Sequence, residues 1–407
     1  MMKFWEIFRM AIHALGVNRL RSVLTLLGVI IGVTSVITII SALEGLSQSI
    51  KNEIDRLGPT TFIITKWGMI TSDEAFWEAL KRKPMKFEYV EAIEEGCEEC
   101  EKVSARIRDE MEVKYRNRKI SRCFIGGATA EFIDIIDFEV GQGRFHSHEE
   151  DITRRRVAFI GTGVQDELYP YVDPIGKTIK IGGLKYEIIG IAKKRGSTFG
   201  NNQDAFVIIP FETYVKDFGT PENTLDIFVK ARTLETMDIA MDQARVVLRA
   251  YRHVPYNKED DFAMMTAESI MAALNDVTKY LRLGLVGVSS ISLVVGGIII
   301  MNIMMVSVTE RTREIGIRKS IGARQKDILW QFLFESLVLS LGGGLVGIAI
   351  GVILGKVLIG LISMNMSPSL YAIVLGLIIS SGVGLFFGIY PAMKAARLQP
   401  VKALSFE

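Results

Sequence analysis

The sequence predicts a membrane α-helical protein with four transmembrane helices and a large α+β extracytoplasmic domain inserted between helices 1 and 2. First, 49% of the 407 residues are hydrophobic, and the mean hydropathy of +0.28 is high for a soluble chain. Second, four segments stay apolar for about 20 residues or more, the length of helix that crosses a bilayer core. Third, the long middle of the chain is acidic and both ends are basic, which is typical of a chain threaded through a membrane and not of a nucleic-acid-binding protein.

We predict transmembrane helices over residues 23–43, 281–308, 332–359 and 369–392. The first apolar segment is longer than that of a cleaved signal peptide and no convincing cleavage site follows it, so we expect it to stay in the protein. Lysine and arginine cluster before it, in the segment 309–331 and in the tail 393–407. The positive-inside rule therefore predicts a multi-pass protein of the cell (inner) membrane with both termini cytoplasmic and residues 44–280 outside.

Amphipathic patterns flank these spans. Residues 1–22 are predicted to form a cytoplasmic amphipathic helix against the membrane lipids, because the apolar side chains of its first 18 residues share one helical face. Residues 43–57 and 270–281 repeat apolar residues at helical spacing, which predicts helices at both ends of the outer domain, either packed on it or acting as stalks. Three β features are predicted inside the domain: a hairpin at Thr178–Ile191 around Gly182, and buried strands at Val157–Ile160 and Ala205–Ile209.

Two motifs in the outer domain contain residues that are typical of a nucleotide-binding loop and of a metal site. Pro174–Thr178 ends in the Gly-Lys-Thr of a phosphate-binding loop, but Tyr171 stands where that loop needs glycine and a hairpin follows in place of a helix, so a turn is predicted. His146 and His148 precede two glutamates, yet no second pair of metal ligands is identifiable and an exposed polar loop is favoured. We therefore expect no catalytic residue, no metal and no cofactor on this chain.

Cys97 and Cys100 form a Cys-x-x-Cys pair in the outer domain. The remaining cysteine, Cys123, cannot complete the second pair of a zinc site, and the βαβ context of a redox motif is missing. A local disulfide in an oxidising exterior and two inert thiols are both compatible with this spacing.

Glycines recur every four residues in the predicted spans, a spacing that lets helix backbones approach closely. Those in the first and third spans are Gly28, Gly32, Gly343, Gly347, Gly351 and Gly355. They indicate packing among the spans of one chain or a dimer seam. Because four spans make a thin bundle, we expect some of each.

The loop between spans two and three is the most specific feature of the sequence. It is short, charged and interrupted by glycines, yet Ile315 and Ile317 are apolar among the charges. A helix with apolar anchors and a charged rim is suited to docking in a groove of a cytoplasmic partner. The predicted docking residues are Glu310, Arg311, Arg313, Glu314, Ile315, Gly316, Ile317, Arg318, Lys319, Gly322, Ala323 and Arg324. Glu335 lies early in span three, and a carboxylate inside the bilayer costs free energy. We therefore expect it near the membrane interface.

Four stretches of the chain resemble ABC-transporter permeases of the macrolide-exporter (MacB) type, which carry an FtsX-like permease module. They are NRLRSVLTLLGVIIGV at span one, RRVAFIGTGVQDELYPYVDPIGKTIKIGGLKYEIIGIAKKRGSTFG in the outer domain, ERTREIGIRKSIGARQKDILWQFLFES in the loop, and GIYPAMKAARLQPVKALSFE at the end. The resemblance covers most of the chain and is weakest over residues 66–122.

The resemblance implies a permease that is not itself an enzyme, paired with a second permease chain as a homodimer and with a cytoplasmic ABC ATPase subunit that binds ATP and Mg²⁺. The fused exporters of the family carry that ATPase on the same chain, and here we expect it on a separate one. Docking through residues 309–331 would move the outer domains and export or release a peptide, antibiotic or lipoprotein-like substrate by mechanotransmission. Whether a periplasmic adaptor takes part depends on the cell envelope. The alternatives are an FtsX-like regulator of a cell-wall hydrolase and a membrane sensor.

Overall fold

The computed structural model describes residues 19–55, 57–70, 72–136, 138–198, 201–220, 225–361 and 370–404. These residues form two compact units. The membrane unit contains the described residues up to Leu46 and from Val277 onwards, and the inserted unit is Ser47–Asp276. Most of the amphipathic helix predicted over residues 1–22 lies outside the described residues, which begin at residue 19.

The described residues form helices and strands in the following order. The elements are α1 (Arg19–Asp55), β1 (Thr61–Thr65), α2 (Asp73–Lys81), α3 (Glu88–Gly96), β2 (Cys100–Tyr115), β3 (Arg118–Ala128), α4 (Phe132–Ile135), β4 (Val140–Gly143), α5 (His148–Ile152), β5 (Val157–Ile160), α6 (Thr162–Leu168), β6 (Thr178–Ile181), β7 (Leu184–Ala192), β8 (Ser197–Thr198), β9 (Asn201–Asn202), β10 (Phe206–Pro210), α7 (Phe211–Phe218), β11 (Leu225–Ala231), α8 (Met237–Tyr251), β12 (Ala263–Thr266), α9 (Ala267–Glu310), α10 (Thr312–Ser320), α11 (Gln325–Leu361), α12 (Leu370–Arg397) and α13 (Pro400–Leu404).

Four of these helices, α1, α9, α11 and α12, are long and apolar enough to cross a membrane. The predicted fold class, four membrane helices with an α+β domain between the first and the second, is confirmed. The helices are longer than the predicted spans, since α1 continues to Asp55 and α9 already begins at Ala267. Leu57, the last residue of the predicted helical pattern, lies just beyond the end of α1.

The predicted glycines bring the helices of the membrane unit close together. A Cβ atom on Gly28 would lie 2.7 Å from Gly296 Cα, so α1 and α9 approach backbone to backbone. At Gly347 a Cβ would lie 3.0 Å from the Ile30 carbonyl oxygen, and the Thr34 hydroxyl donates to the Gly347 carbonyl at 3.0 Å. The contacts of all six glycines lie within the chain, Gly28 and Gly32 against α9, and Gly343, Gly347, Gly351 and Gly355 against α1. Packing within one chain is therefore confirmed for these glycines, and a dimer seam stays a prediction.

A mixed ten-stranded sheet forms the centre of the inserted unit within its described residues. The order is β12-β1-β11-β2-β3-β10-β5-β7-β4, and β6 pairs with both β2 and β7. Most pairs are antiparallel, but β3–β10 and β5–β7 are parallel. Parallel neighbours need a crossover, so residues far apart in the sequence meet on adjacent strands.

The two faces of this sheet differ in what covers them. Alternation along β2 sends Val103, Ala105 and Ile107 into the main core, which also contains apolar side chains of α3, α6, α7 and α8. A smaller core lies around Phe132 of α4 and includes Phe228 of β11. Arg106 and Arg108 occupy the alternate positions of β2 and therefore project from the face opposite the main core.

The predicted β features and the predicted turn are present. β6 and β7 form an antiparallel hairpin in which Ile181 pairs with Leu184. Gly182 and Gly183 between them have φ of +55° and +92°, as the tight hairpin turn requires. Val157–Ile160 is a strand and the second predicted strand runs from Phe206 to Pro210. Gly176 of the Gly-Lys-Thr triplet lies in a turn with φ +73°.

The predicted exposed polar loop around His146 and His148 is partly wrong. The His146 side chain is buried, and its Nε2 lies 2.9 Å from the Ala128 carbonyl oxygen. Burial lowers the pKa of His146 to about 4. Glu150 belongs to the capping box of α5 and accepts two bonds from the Arg144 guanidinium, at 2.6 and 2.7 Å. Packing and ion pairing therefore account for these groups, and no cluster of three metal-ligating side chains is found in the described residues.

Cys97 and Cys100 form a disulfide, which selects one of the two alternatives that the spacing left open. The bond joins the residue after α3 to the first residue of β2. Cys123 is a free, buried thiol, and burial raises its pKa to about 12. Such a thiol is protonated and unreactive at neutral pH.

Candidate coupling site

The predicted docking segment is a short helix, α10, held between two turns. α9 ends at Glu310, and Arg311 leaves helical geometry with φ −101° and ψ 15°. The Thr312 hydroxyl donates to the carbonyls of Val308 at 3.0 Å and of Thr309 at 2.9 Å, two of the last carbonyls of α9. The segment is therefore an ordered corner between helices and not a solvated loop.

An ion pair ties this corner to α11. Arg311 Nη1 lies 3.4 and 3.3 Å from the two carboxylate oxygens of Glu335. The Glu335 side chain is buried, and a carboxylate in such a place is usually paired. The partner that the sequence did not identify is thus one of the predicted docking residues, 24 positions earlier in the chain.

One face of α10 packs inside the membrane unit. Ile315 is only 3% exposed and belongs to an apolar cluster with Phe332 of α11 and Ala395 of α12. A Cβ atom on Gly316 would lie 2.7 Å from Ala403 Cβ, so glycine allows α13 to lie directly on α10. Ile315 and Gly316 therefore hold the helix in place, and the expectation that Ile315 anchors a partner is not met.

Lys319 connects α10 to the end of α12. Its Nζ donates to the carbonyls of Ala396 at 2.5 Å and Leu398 at 2.7 Å. Carbonyls at a helix C-terminus lack partners within the helix and carry partial negative charge, so an ammonium group there is favourable. Desolvation lowers the pKa of Lys319 from its usual value.

The turn after α10 is a Schellman motif. Gly322 adopts φ +100°, the Ala323 N–H donates to the Arg318 carbonyl at 3.0 Å, and the Gly322 N–H donates to the Lys319 carbonyl at 3.1 Å. This pattern closes helices through a left-handed residue, which is why glycine occupies position 322. Beyond it, Asp327 accepts from the Arg324 N–H at 3.2 Å at the start of α11.

Arg318 braces the side of α10. Its Nη1 donates to Gln331 Oε1 of α11 at 2.7 Å. Its Nη2 pairs with Glu314, one turn earlier on α10. Helix–helix and within-helix contacts thus hold this arginine, and Arg313 and Arg324 are the exposed arginines of the segment.

The opposite face of α10 carries the apolar residues that are accessible. Ile317 is about half exposed, and Ile321 at the C-terminal end is 80% exposed. Four residues apart, these two side chains lie on one side of the segment. Trp330, in the second turn of α11, is also exposed. Ile321 and Trp330 were not among the predicted residues, although the i, i+4 spacing from Ile317 was a usable signal for Ile321.

The predicted residues therefore separate by solvent exposure into a buried or half-buried group and an exposed group. Ile315 and Gly316 are buried, and Arg311, Arg318, Lys319 and Ala323 are half-buried. The exposed ones are Glu310, Arg313, Glu314, Ile317, Gly322 and Arg324. An apolar pair with arginines at its rim is suited to contact with another protein.

Comparison with known proteins shows the family to which the chain belongs. A model described as MacB-like periplasmic core domain matches residues 22–247, and a model described as FtsX-like permease C-terminal matches residues 286–400. The chain belongs to the MacB/FtsX family of ABC transporter permeases. As a permease of this family with four apolar helices, it is a multi-pass inner-membrane protein.

Its relatives differ in length. The permease is 34% identical over 99% of its length to a macrolide export ATP-binding/permease protein MacB of Bdellovibrio bacteriovorus, of which it spans 63%. It is 32% identical to the uncharacterized ABC transporter permease YknZ of Bacillus subtilis, and that alignment covers 100% of both chains. A crystal structure of the periplasmic region of MacB from Actinobacillus actinomycetemcomitans covers 56% of this chain and 98% of its own, with 15% identity and a TM-score of 0.46.

Proposed function

We propose that this permease couples ATP hydrolysis on a separate ABC ATPase subunit to the export or release of an extracytoplasmic peptide, antibiotic or lipoprotein-like substrate. The observation that carries the proposal is the two-sided character of α10. Hydrogen bonds connect its inner side to Glu335 of α11 and Ala396 of α12, and Gly316 packs against Ala403 of α13. Its outer face presents Ile317 and Ile321. A partner that displaces α10 would therefore displace the membrane helices with it.

The proposed partner binds ATP and Mg²⁺ and docks on the exposed face of α10 from the cytoplasm. The arginines of α10 and of the flanking turns support a cytoplasmic location for this helix by the positive-inside rule. In the same orientation both chain termini are cytoplasmic and residues 44–280 lie outside. The YknZ relative, aligned over its whole length, carries the name permease, which supports an ATPase on another chain. Motion of the membrane helices would then be passed to the outer domain, so that substrate is moved by mechanotransmission and not through a polar channel.

We further propose that two permease chains act together, embedded in membrane lipids, and that a periplasmic adaptor joins them in envelopes with two membranes. The six predicted glycines pack within one chain, so the pairing surface would lie elsewhere. Apolar side chains that point away from the described bundle, such as Ile291 and Phe386, are available either to lipid or to a second chain.

Substitution of Ile321 tests the docking role directly. The tagged permease is purified from native membranes, the co-purifying ABC ATPase subunit is identified by mass spectrometry, and ATP hydrolysis is measured on the complex. We expect Ile321→Asp to lower ATPase recovery and hydrolysis at least about tenfold, because an exposed apolar anchor at the centre of an interface contributes on the order of 1–2 kcal/mol and a carboxylate there is desolvated.

Leu234→Asp is the matched control, since Leu234 is another exposed aliphatic residue but belongs to the inserted unit. Equal ATPase recovery with Ile321→Asp and Leu234→Asp would remove α10 as the docking element. Absence of any ABC ATPase from the wild-type preparation would contradict the coupling proposal as a whole.

A further inference from the structure

A cavity of about 280 Å³ lies in the inserted unit where β2, β3 and β10 run side by side. It opens on the face of the sheet from which Arg106 and Arg108 project. Register places Arg108 of β2 opposite Gly126 of β3, and Phe206 of β10 beside Phe124 of β3. Since Gly126 has no side chain, the floor between the arginine and the phenylalanines stays open.

Three arginines line this cavity: Arg106, Arg108 and Arg195. Arg106 Nη2 and Arg108 Nη2 lie 3.4 and 3.6 Å from the same oxygen of Asp226. Two guanidinium groups thus share one carboxylate. Arg195 stacks on Phe138, with its guanidinium carbon 3.6 Å from the ring centroid.

Within the described residues, Arg106 and Arg108 have a single carboxylate, Asp226, as their ion-pair partner. Arg106 is held over the Phe228 ring at 4.5 Å, and its buried Nε–H has no hydrogen-bond partner. Burial, with repulsion from Arg108 and Arg195, lowers the pKa of Arg106 to about 10. A bound anion would therefore find the unpartnered Arg106 Nε–H and the exposed Arg108 guanidinium here.

Aromatic rings form a second part of the cavity wall. Phe124, Phe132, Phe138 and Phe206 all line the cavity. Phe138 and Phe206 meet edge to face with centroids 5.4 Å apart, and Phe124 is 48% exposed. An exposed phenylalanine beside a cluster of arginines offers an apolar surface within reach of cationic groups, which is the combination that amphipathic anions need.

We propose that this cavity is a binding site for a small amphipathic anion, a carboxylate on an aromatic or other apolar body. The arginines would hold the carboxylate, as planar guanidinium groups do through paired hydrogen bonds, and the phenylalanines would cover the apolar part. The volume lies just below the usual range for small-molecule sites, so the ligand is compact. This site is independent of the proposed coupling to an ATPase, and its test requires no ATP hydrolysis.

Dansylglycine and dansylamide are matched probes, because they share the aromatic body and only the first carries a carboxylate. Dansyl fluorescence is titrated with the full-length permease in lipid nanodiscs, and empty nanodiscs are subtracted. We expect dansylglycine to bind at least tenfold more tightly than dansylamide. Raising the salt concentration is expected to weaken the binding of dansylglycine alone, since charge attraction is screened.

Two variants and one control locate the site. Arg108→Gln is expected to weaken dansylglycine binding about tenfold while the protein stays folded, because this side chain is 62% exposed. Phe124→Ser is expected to weaken both probes. Arg122→Gln should leave binding unchanged. Arg122 is an exposed arginine on β3, the strand that also carries Phe124, and it is not among the residues that line the cavity.

Three results would overturn the proposal. The wild-type permease would show no saturable binding of dansylglycine up to millimolar concentration, or both probes would bind equally well. Alternatively, Arg108→Gln and Phe124→Ser would both retain wild-type affinity. Because no partner subunit is present, failure of this test would leave the coupling proposal untouched, and loss of coupling in Ile321→Asp would not affect this one.

Discussion

Replacing Gly347 by leucine should destabilise the membrane unit. A Cβ at this position would lie 3.0 Å both from the Ile30 carbonyl oxygen and from Val33 Cβ on α1. Leucine adds three further carbon atoms in that direction, so α1 and α11 must separate. Overpacking of this kind costs about 1–3 kcal/mol. Separation also lengthens the Thr34–Gly347 hydrogen bond, and bonds between membrane helices contribute about 0.6 kcal/mol on average.

The control is Gly342→Leu on the same helix, because nothing lies within 4 Å of a Cβ at Gly342. Equilibrium unfolding in mixed detergent micelles measures both variants and Thr34→Val, which removes the hydroxyl while it keeps the side-chain shape. We expect Gly347→Leu to lose about 2–4 kcal/mol of unfolding free energy, Gly342→Leu to lose none, and Thr34→Val to lose less than about 1 kcal/mol. Stability of Gly347→Leu within about 0.5 kcal/mol of Gly342→Leu would refute the packing argument.

The remaining predictions concern charged groups. Arg311→Met should lower the free energy of unfolding by about 3 kcal/mol, because it leaves the buried Glu335 carboxylate unpaired. The double variant Arg311→Met/Glu335→Leu should recover most of this loss. Equal stability of the single and the double variant would contradict a paired Glu335. In the inserted unit, the pKa of His146 is lowered from 6.5 to about 4, so the unfolded chain alone binds the proton between these values. His146 should therefore contribute a loss of about 3 kcal/mol in stability as the pH drops from 6.5 to 4, whereas Asp151, whose pKa burial raises to about 6, contributes with the opposite sign. Denaturant unfolding of the wild type and of His146→Gln across this range isolates the His146 contribution as the difference between the two pH profiles, and parallel profiles would exclude it.

Sequence periodicity was sufficient for features set by neighbouring residues. The four apolar spans depend on length and hydropathy alone, and the β6–β7 hairpin depends on Gly182 and Gly183 between alternating strands. Both patterns are local, so no knowledge of distant partners was needed. The same is true of α10, because the positive φ of Gly322 ends the helix wherever the rest of the chain lies.

Features set by distant residues could not be obtained in this way. Ile315 and Ile317 look alike in the sequence, and only the packing of α11, α12 and α13 against one side of α10 decides that Ile315 is buried. Glu335 could not be assigned to Arg311 before the turn between α10 and α11 was known. The arginine cavity was missed because Phe206 reaches β3 through a parallel pairing with a crossover, although Arg106 and Arg108 already alternated along one strand.

The position of β1 has a consequence for biogenesis. This first strand of the inserted unit lies between β11 and β12, the last two strands. During synthesis, β1 leaves the ribosome with its hydrogen-bonding edges unsatisfied, and they stay so until residues 225–266 have followed. Strands that are far apart in the sequence pair slowly. Until they pair, an open strand edge is prone to aggregation. A chain truncated before β12, or released early by the ribosome, should therefore be a substrate for chaperones and proteases and not a partly working permease.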